Sequence, residues 1–176
     1  MQRYSAVAAF FHWLSAALVI GLFYSGYMFH QVFERGTPER GDMFAWHKTV
    51  GILLLVVAVL RIGHRLMKPP PPLPAALRAN ERMLAKWSHR LLYFLILFIP
   101  LTGLIKISPD GGMTELKGGI DFPLIPGVSE GLSDLAGTIH ENIVWAFAVL
   151  LIIHILAALY HHGRGTAAAG RMWPTR

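Results

Sequence analysis

Cysteine is absent from the 176 residues. That excludes disulfides, thiolate zinc sites, iron–sulfur clusters and the C-x-x-C-H attachment of a c-type haem. Charge is scarce as well: only 15% of residues are Asp, Glu, Lys or Arg, against about 25% in soluble domains. Scarce charge and an aromatic content of 11% exclude a disordered chain. What fills the sequence is apolar, with 54% hydrophobic residues and a mean hydropathy of +0.47. Nine histidines remain as the abundant chemically versatile side chain. Any metal chemistry must therefore use imidazole, carboxylate or carbonyl.

Four long apolar stretches predict helices over about 4–29, 43–62, 87–107 and 135–160. A bilayer core about 30 Å thick needs about 20 apolar residues at 1.5 Å rise each, and all four suffice. None shows the polar face that a helix of a soluble bundle needs. The expected fold is all-α: a single integral membrane four-helix bundle occupying 1–176, with no internal repeat. The first stretch is read as a retained span, because only Arg3 precedes it and its apolar run exceeds that of a signal peptide.

The loops orient the bundle. The connection after the second stretch carries Arg61, Arg65, Lys68, Arg78, Arg82, Lys86 and Arg90 against Glu81 alone, and the tail carries Arg164, Arg171 and Arg176 without an acid. Residues 30–42 and 106–134 are acidic on balance. Lys and Arg stay on the cytoplasmic side. Both termini and the second loop are therefore expected in the cytoplasm, and loops one and three outside. This placement accounts for the net charge of +6 without a nucleic-acid partner; the partner it implies is membrane lipid. Pro69–Pro72 with Pro74 reads as a stiff extended spacer, and the Gly- and Pro-rich third loop as irregular structure.

Placed by depth, His12 lies near the inner end of the first helix and His47 near the outer end of the second. His140 and His154 lie toward the outer and inner ends of the fourth, fourteen residues apart. That separation is about 21 Å along an α-helix and about 40° around it, so one face of the fourth helix carries both imidazoles. Two pairs follow, His47 with His140 and His12 with His154. Two imidazoles facing one another across a bundle can hold the two axial positions of a haem iron. Small residues that leave room for a flat macrocycle lie near each: Ala8, Ala9 and Ala16 by His12, Gly51 by His47, Ala136 and Gly137 by His140, Ala157 and Ala158 by His154. His64 has no such neighbours. The competing reading of any one histidine is an interhelical hydrogen bond. Zinc or iron transport is a further alternative, although it needs ligands converging at one depth.

These residues, in order, resemble the bacterial cytochrome b561 family of small di-haem b membrane proteins. The pieces are Tyr4-Ser5 before His12-Trp13; His47-Lys48-Thr49-Val50-Gly51; Arg61 and Arg65; His89-Arg90-Leu91-Leu92-Tyr93 with Pro100 and Gly103; His140-Glu141; and His154 before Ala157-Ala158-Leu159-Tyr160-His161-His162. The resemblance spans nearly the whole chain. It implies two b-type haems with bis-histidine ligation, on His12, His47, His140 and His154, electron exchange with the quinone pool, and a bacterial inner-membrane location. One branch of the family is a superoxide oxidase that delivers electrons from superoxide to ubiquinone. Other relatives are membrane subunits of dehydrogenases and hydrogenases, with a redox protein as partner.

Superoxide is an anion, so positive charge should aid its encounter. Lys48, beside His47, is the candidate catalytic residue, with Arg35, Arg40, Lys106 and Lys117 in support. The competing role for Lys48 is to pair with a haem propionate or to snorkel. For ubiquinone the candidates are His89 and His161, at the inner interface. Arg61, Arg65 and Arg90 could pair with inner propionates or with lipid phosphates. Glu141 could orient a neighbouring ligand but reads rather as a solvated acid at a helix start, and Trp46, Trp87 and Trp145 as interface or packing residues.

Overall fold

Ser5, Thr37 and Ser129 each sit in extended backbone and accept a hydrogen bond from the first turn of a helix. Such caps satisfy amide donors that a helix start leaves unpaired. Pro38 follows Thr37 at the first helical position, where its missing N–H costs nothing. At the third helix start, Oε2 of Glu81 accepts from the backbone N–H of Arg78 at 2.8 Å. The computed structural model describes residues 3–74, 77–166 and 170–172. It contains four helices: α1 (Ala6–Tyr27), α2 (Pro38–Met67), α3 (Ala79–Lys106) and α4 (Glu130–Gly163). A π-helical turn over Met28–Val32 extends α1.

All four are long and apolar enough to cross a membrane. Their burial pattern agrees: Ile20, Trp87, Trp145 and Ile152 are more than half exposed although large and apolar. A soluble protein does not display such surfaces on every helix; a lipid-facing one must. The residues turned inward are small or interlocking. Val19, Leu54, Ala58, Leu95, Ile96 and Phe147 form the central cluster, with Ala58 wholly buried. Small side chains let membrane helices approach closely, which is where packing energy comes from when lipid is as apolar as leucine.

Consecutive helices pack against each other, α1 on α2, α2 on α3 and α3 on α4. Among the described residues the Cα atoms of α1 and α4 stay more than 8 Å apart, as do those of α2 and α4. The bundle therefore has a seam along α4, bridged by side chains. One bridge is the pair Phe23 and Phe147, stacked at 6.2 Å between ring centres with their planes 9° apart.

The expected spans match these helices to within two residues wherever they overrun them, at 4–5 and at 107, but α2, α3 and α4 begin earlier, with polar first turns that stand outside the apolar slab. The third loop is more ordered than its composition suggests. Strands β1 (Met113–Leu116) and β2 (Ile120–Pro123) form an antiparallel hairpin with Met113 opposite Pro123. Its turn needs Gly118 and Gly119, whose φ values of 92° and 73° are costly for other residues. The hairpin is tied to α2: Lys48 Nζ donates to Thr114 Oγ1 and to the Glu115 carbonyl, each at 2.8 Å, and the Lys117 amide donates to Thr49 Oγ1 at 2.9 Å.

At the opposite end the proline spacer and the tail meet. Arg171 donates to the carbonyls of Pro71 and Pro72 and accepts, through its own carbonyl, from the Tyr4 amide. Both ends of the described chain thus lie at the basic end of the bundle. Arg176 lies outside the described residues.

Candidate functional site

The predicted histidine pairs come together in two layers. In the outer layer the ring centres of His47 on α2 and His140 on α4 are 6.3 Å apart. In the inner layer those of His12 on α1 and His154 on α4 are 6.4 Å apart. Both pairs span the seam along α4. A first-row metal lies about 2.0–2.1 Å from an imidazole nitrogen, which is itself about 1.1 Å from its ring centre. Two imidazoles on opposite sides of one such ion therefore have centres about 6.3 Å apart. Both pairs match that spacing. The donor set suits haem iron too, since imidazole on both axial positions needs no thiolate. The residues fit two bis-histidine haems.

The supporting bonds in the outer layer leave its imidazoles suited to hold a metal. His140 Nδ1 lies 2.9 Å from the Ile99 carbonyl and 3.2 Å from Thr102 Oγ1, and Thr102 gives its own hydrogen to Ile99. The ring must therefore donate from Nδ1, which leaves the Nε2 lone pair free. His47 is held likewise. Its Nδ1 is 3.0 Å from Ser25 Oγ, whose hydrogen is directed to the Gly21 carbonyl at 2.8 Å. A ligand histidine that donates its other N–H is fixed in tautomer and orientation, and is made a stronger base. Gly103 leaves room for the His140 ring: a Cβ there would lie 3.0 Å from its Cε1. Gly26 stands in the same relation to His47, at 3.4 Å.

The inner layer is built differently. Arg61 Nη2 lies 3.1 Å from His12 Nδ1. Guanidinium can only donate, so Nδ1 accepts and the neutral ring carries its hydrogen on Nε2. Arg61 and Arg65 both lie over the Tyr93 ring, at 4.8 and 4.7 Å. A third imidazole, His89 on α3, stands 5.5 Å from His154 between ring centres. Its Nδ1 donates to the Ala85 carbonyl at 2.6 Å.

The remaining candidates fall around these layers. Lys48 is next to His47 and spends its hydrogen bonds on neutral oxygens of the hairpin, so it holds the loop without a direct ion pair among the described residues. Lys106 pairs with Glu141 at 2.6 Å, so Glu141, half exposed and well inside α4, is a partner across α3 and α4 rather than a helix-start acid. Lys117 pairs with Asp42. His161 ends α4, with Nδ1 3.3 Å from Thr166 Oγ1. His64 lies against Phe11, apart from both layers. Ser25, Thr102 and the Ile99 carbonyl escaped sequence reasoning. The available signal was a buried hydroxyl within each of two apolar runs.

Comparison with known proteins gives the family. The profile described as prokaryotic cytochrome b561 matches residues 3–175. "Cytochrome b561 homolog 2" of Escherichia coli K12 is 34% identical over 163 residues, covering 92% of this chain and 85% of the relative. "Cytochrome b561 homolog 1" of the same strain is 28% identical over 167 residues, covering 92% and 91%. A Yersinia pestis protein named "Probable superoxide oxidase CybB" is 28% identical over 164 residues, covering 92% and 89%. The chain belongs to the prokaryotic cytochrome b561 family, as a multi-pass haem b protein of the bacterial inner membrane with an electron-transfer role.

Proposed function

We propose that the protein passes single electrons from superoxide at its hairpin end to ubiquinone at its basic end, and that His47 with His140, and His12 with His154, would each hold one haem. The observation that carries this reading is the near-equal spacing of the two imidazole pairs, 6.3 and 6.4 Å, each suited to one axially ligated iron. Haem held between two imidazoles would supply one-electron exchange. The chain's own residues do the rest.

Ser25 and the Ile99 carbonyl orient the outer ligands. Lys48, its charge unneutralised by a direct carboxylate contact, attracts the anionic donor to the hairpin end. At the other end His161 keeps Nε2 clear of the bond its Nδ1 makes to Thr166, so that nitrogen can accept the O–H of a quinol. A neutral His89 spends its single N–H on Ala85, which leaves it no donor for a quinone carbonyl. The balanced reaction is two superoxide anions plus one quinone plus two protons, giving two dioxygen and one quinol. The positive-inside rule puts the basic end, and hence quinone reduction, on the cytoplasmic side.

The test uses purified full-length protein. A haem-to-protein ratio of about two and a b-type reduced-minus-oxidised spectrum are expected. A superoxide pulse should reduce the haems rapidly, and added ubiquinone should re-oxidise them. Absence of a b-type band overturns the haem assignment. Reduction no faster than in a soluble bis-histidine cytochrome favours a redox protein as the donor instead.

A further inference from the structure

Three of the four ligand imidazoles have a hydrogen-bond partner at Nδ1: Ser25 for His47, Ile99 with Thr102 for His140, and Arg61 for His12. His154 has none among the described residues. The neighbouring imidazole, His89, has the complementary surplus. Its Nδ1–H is committed to the carbonyl of Ala85, four residues back on its own helix, so its Nε2 carries an unused lone pair. The two ring centres are 5.5 Å apart with their planes at 81°.

That spacing distinguishes between two roles for His89. A metal between two imidazoles requires about 6.3 Å between centres, so His89 and His154 stand too close to share one. An N–H···N bond of about 3.0 Å, with a ring radius of about 1.1 Å at each end, requires about 5.2 Å. The observed separation exceeds the second value by about 0.3 Å, so the rings stand just beyond hydrogen-bond contact and a small turn of either would close it. The steep angle between planes is no obstacle, because the donor hydrogen and the acceptor lone pair each lie in their own ring plane.

We propose that His89 is the positioning residue of His154: its Nε2 accepts a hydrogen bond from His154 Nδ1–H, forming a relay from His154 through His89 to the Ala85 carbonyl. This rests on the haem reading above. The relay fixes His154 with Nε2 toward the seam, and it makes that imidazole more electron-donating. A more basic axial ligand favours oxidised iron, so His89 holds the inner haem at a lower potential than it would otherwise have. It does for the inner layer from a side chain what Ile99 does for the outer layer from a main-chain carbonyl.

The experiment is a redox titration with low-temperature electron paramagnetic resonance on the purified full chain, comparing wild type, His89→Phe and His89→Gln. The inner haem is identified as the one that His154→Ala removes. In His89→Phe both haems should remain, the inner midpoint should rise, and the inner low-spin signal should shift, with the outer haem unchanged. In His89→Gln, whose side-chain carbonyl can still accept, the inner midpoint and signal should return toward wild type. Wild-type midpoints and signals in His89→Phe overturn the proposal. So does selective loss of the inner low-spin signal in both variants, which would make His89 an axial ligand. Should His89→Phe not fold, an unshifted inner signal in His89→Ala overturns it instead. Wild-type protein without haem would refute the haem reading itself, a result separate from all of these.

Discussion

Arg61 donates to Nδ1 of His12 across 3.1 Å, and so holds the inner ligand in the tautomer opposite to the one that His47 and His140 adopt. Ligation through Nε2 requires the guanidinium to turn away. Its charge nevertheless stays beside the inner layer, anchored by Tyr93. A nearby cation favours the reduced state. Arg61→Leu should therefore lower the inner midpoint, on the order of tens of millivolts, and leave the outer one in place. Redox titration checks this, and an unchanged inner midpoint would show that Arg61 is too well screened to matter.

Gly103 lets α3 approach the His140 ring. A methyl group there would sit 3.0 Å from Cε1 and 3.2 Å from Nδ1 of that imidazole. Overpacking of this kind costs roughly 1–3 kcal/mol or displaces the crowded group. Gly103→Val is expected to lose the outer haem and keep the inner one, halving the pyridine haemochromogen yield per protein. Full retention of both haems would mean that α3 moves aside.

Ser25 and Thr102 look alike in sequence but differ in consequence. Ser25→Ala removes the hydroxyl that His47 meets. Thr102→Val leaves the Ile99 carbonyl still bonded to His140. Losing such a support commonly costs about 10–100-fold in ligand affinity. Transfer of haem to apomyoglobin should be faster by about that factor in Ser25→Ala, and much less affected in Thr102→Val. Equal rates in the two variants would contradict this distinction.

Lys48 has two jobs to separate, attraction of an anion and attachment of the hairpin. Lys48→Arg preserves the charge, whereas Lys48→Gln preserves only some hydrogen bonding. Haem reduction by superoxide should slow by up to roughly tenfold in Lys48→Gln and lose part of its salt dependence, while Lys48→Arg stays close to wild type. Equal slowing in both variants, with salt dependence intact, would assign Lys48 to the hairpin alone.

Much of the bundle is legible along the chain because a helix converts residue number into depth. Fourteen residues between His140 and His154 become two storeys without any knowledge of packing. Rotation and lateral contact do not follow from such arithmetic. That His89 faces His154, or that Ile99 presents its carbonyl to His140, depends on how α3 settles against α4. The polar first turns of α2 and α4 were hidden because hydropathy sees only the slab, although Thr37-Pro38 and Ser129-Glu130 mark helix starts. The hairpin is obscured by glycine content, since the same Gly118-Gly119 that suggests irregular structure also closes a tight turn.

Phe147 lies seven residues from both His140 and His154, on their face of α4, and its ring is stacked on Phe23 in the middle of the molecule. Two parallel hydrocarbon plates offer no polar foothold for a water file. Tunnelling charge can cross such a barrier while hydronium cannot. Under the proposed function, quinol formed at the basic end would draw its protons from that same compartment, and each turnover would leave the membrane more polarised than before.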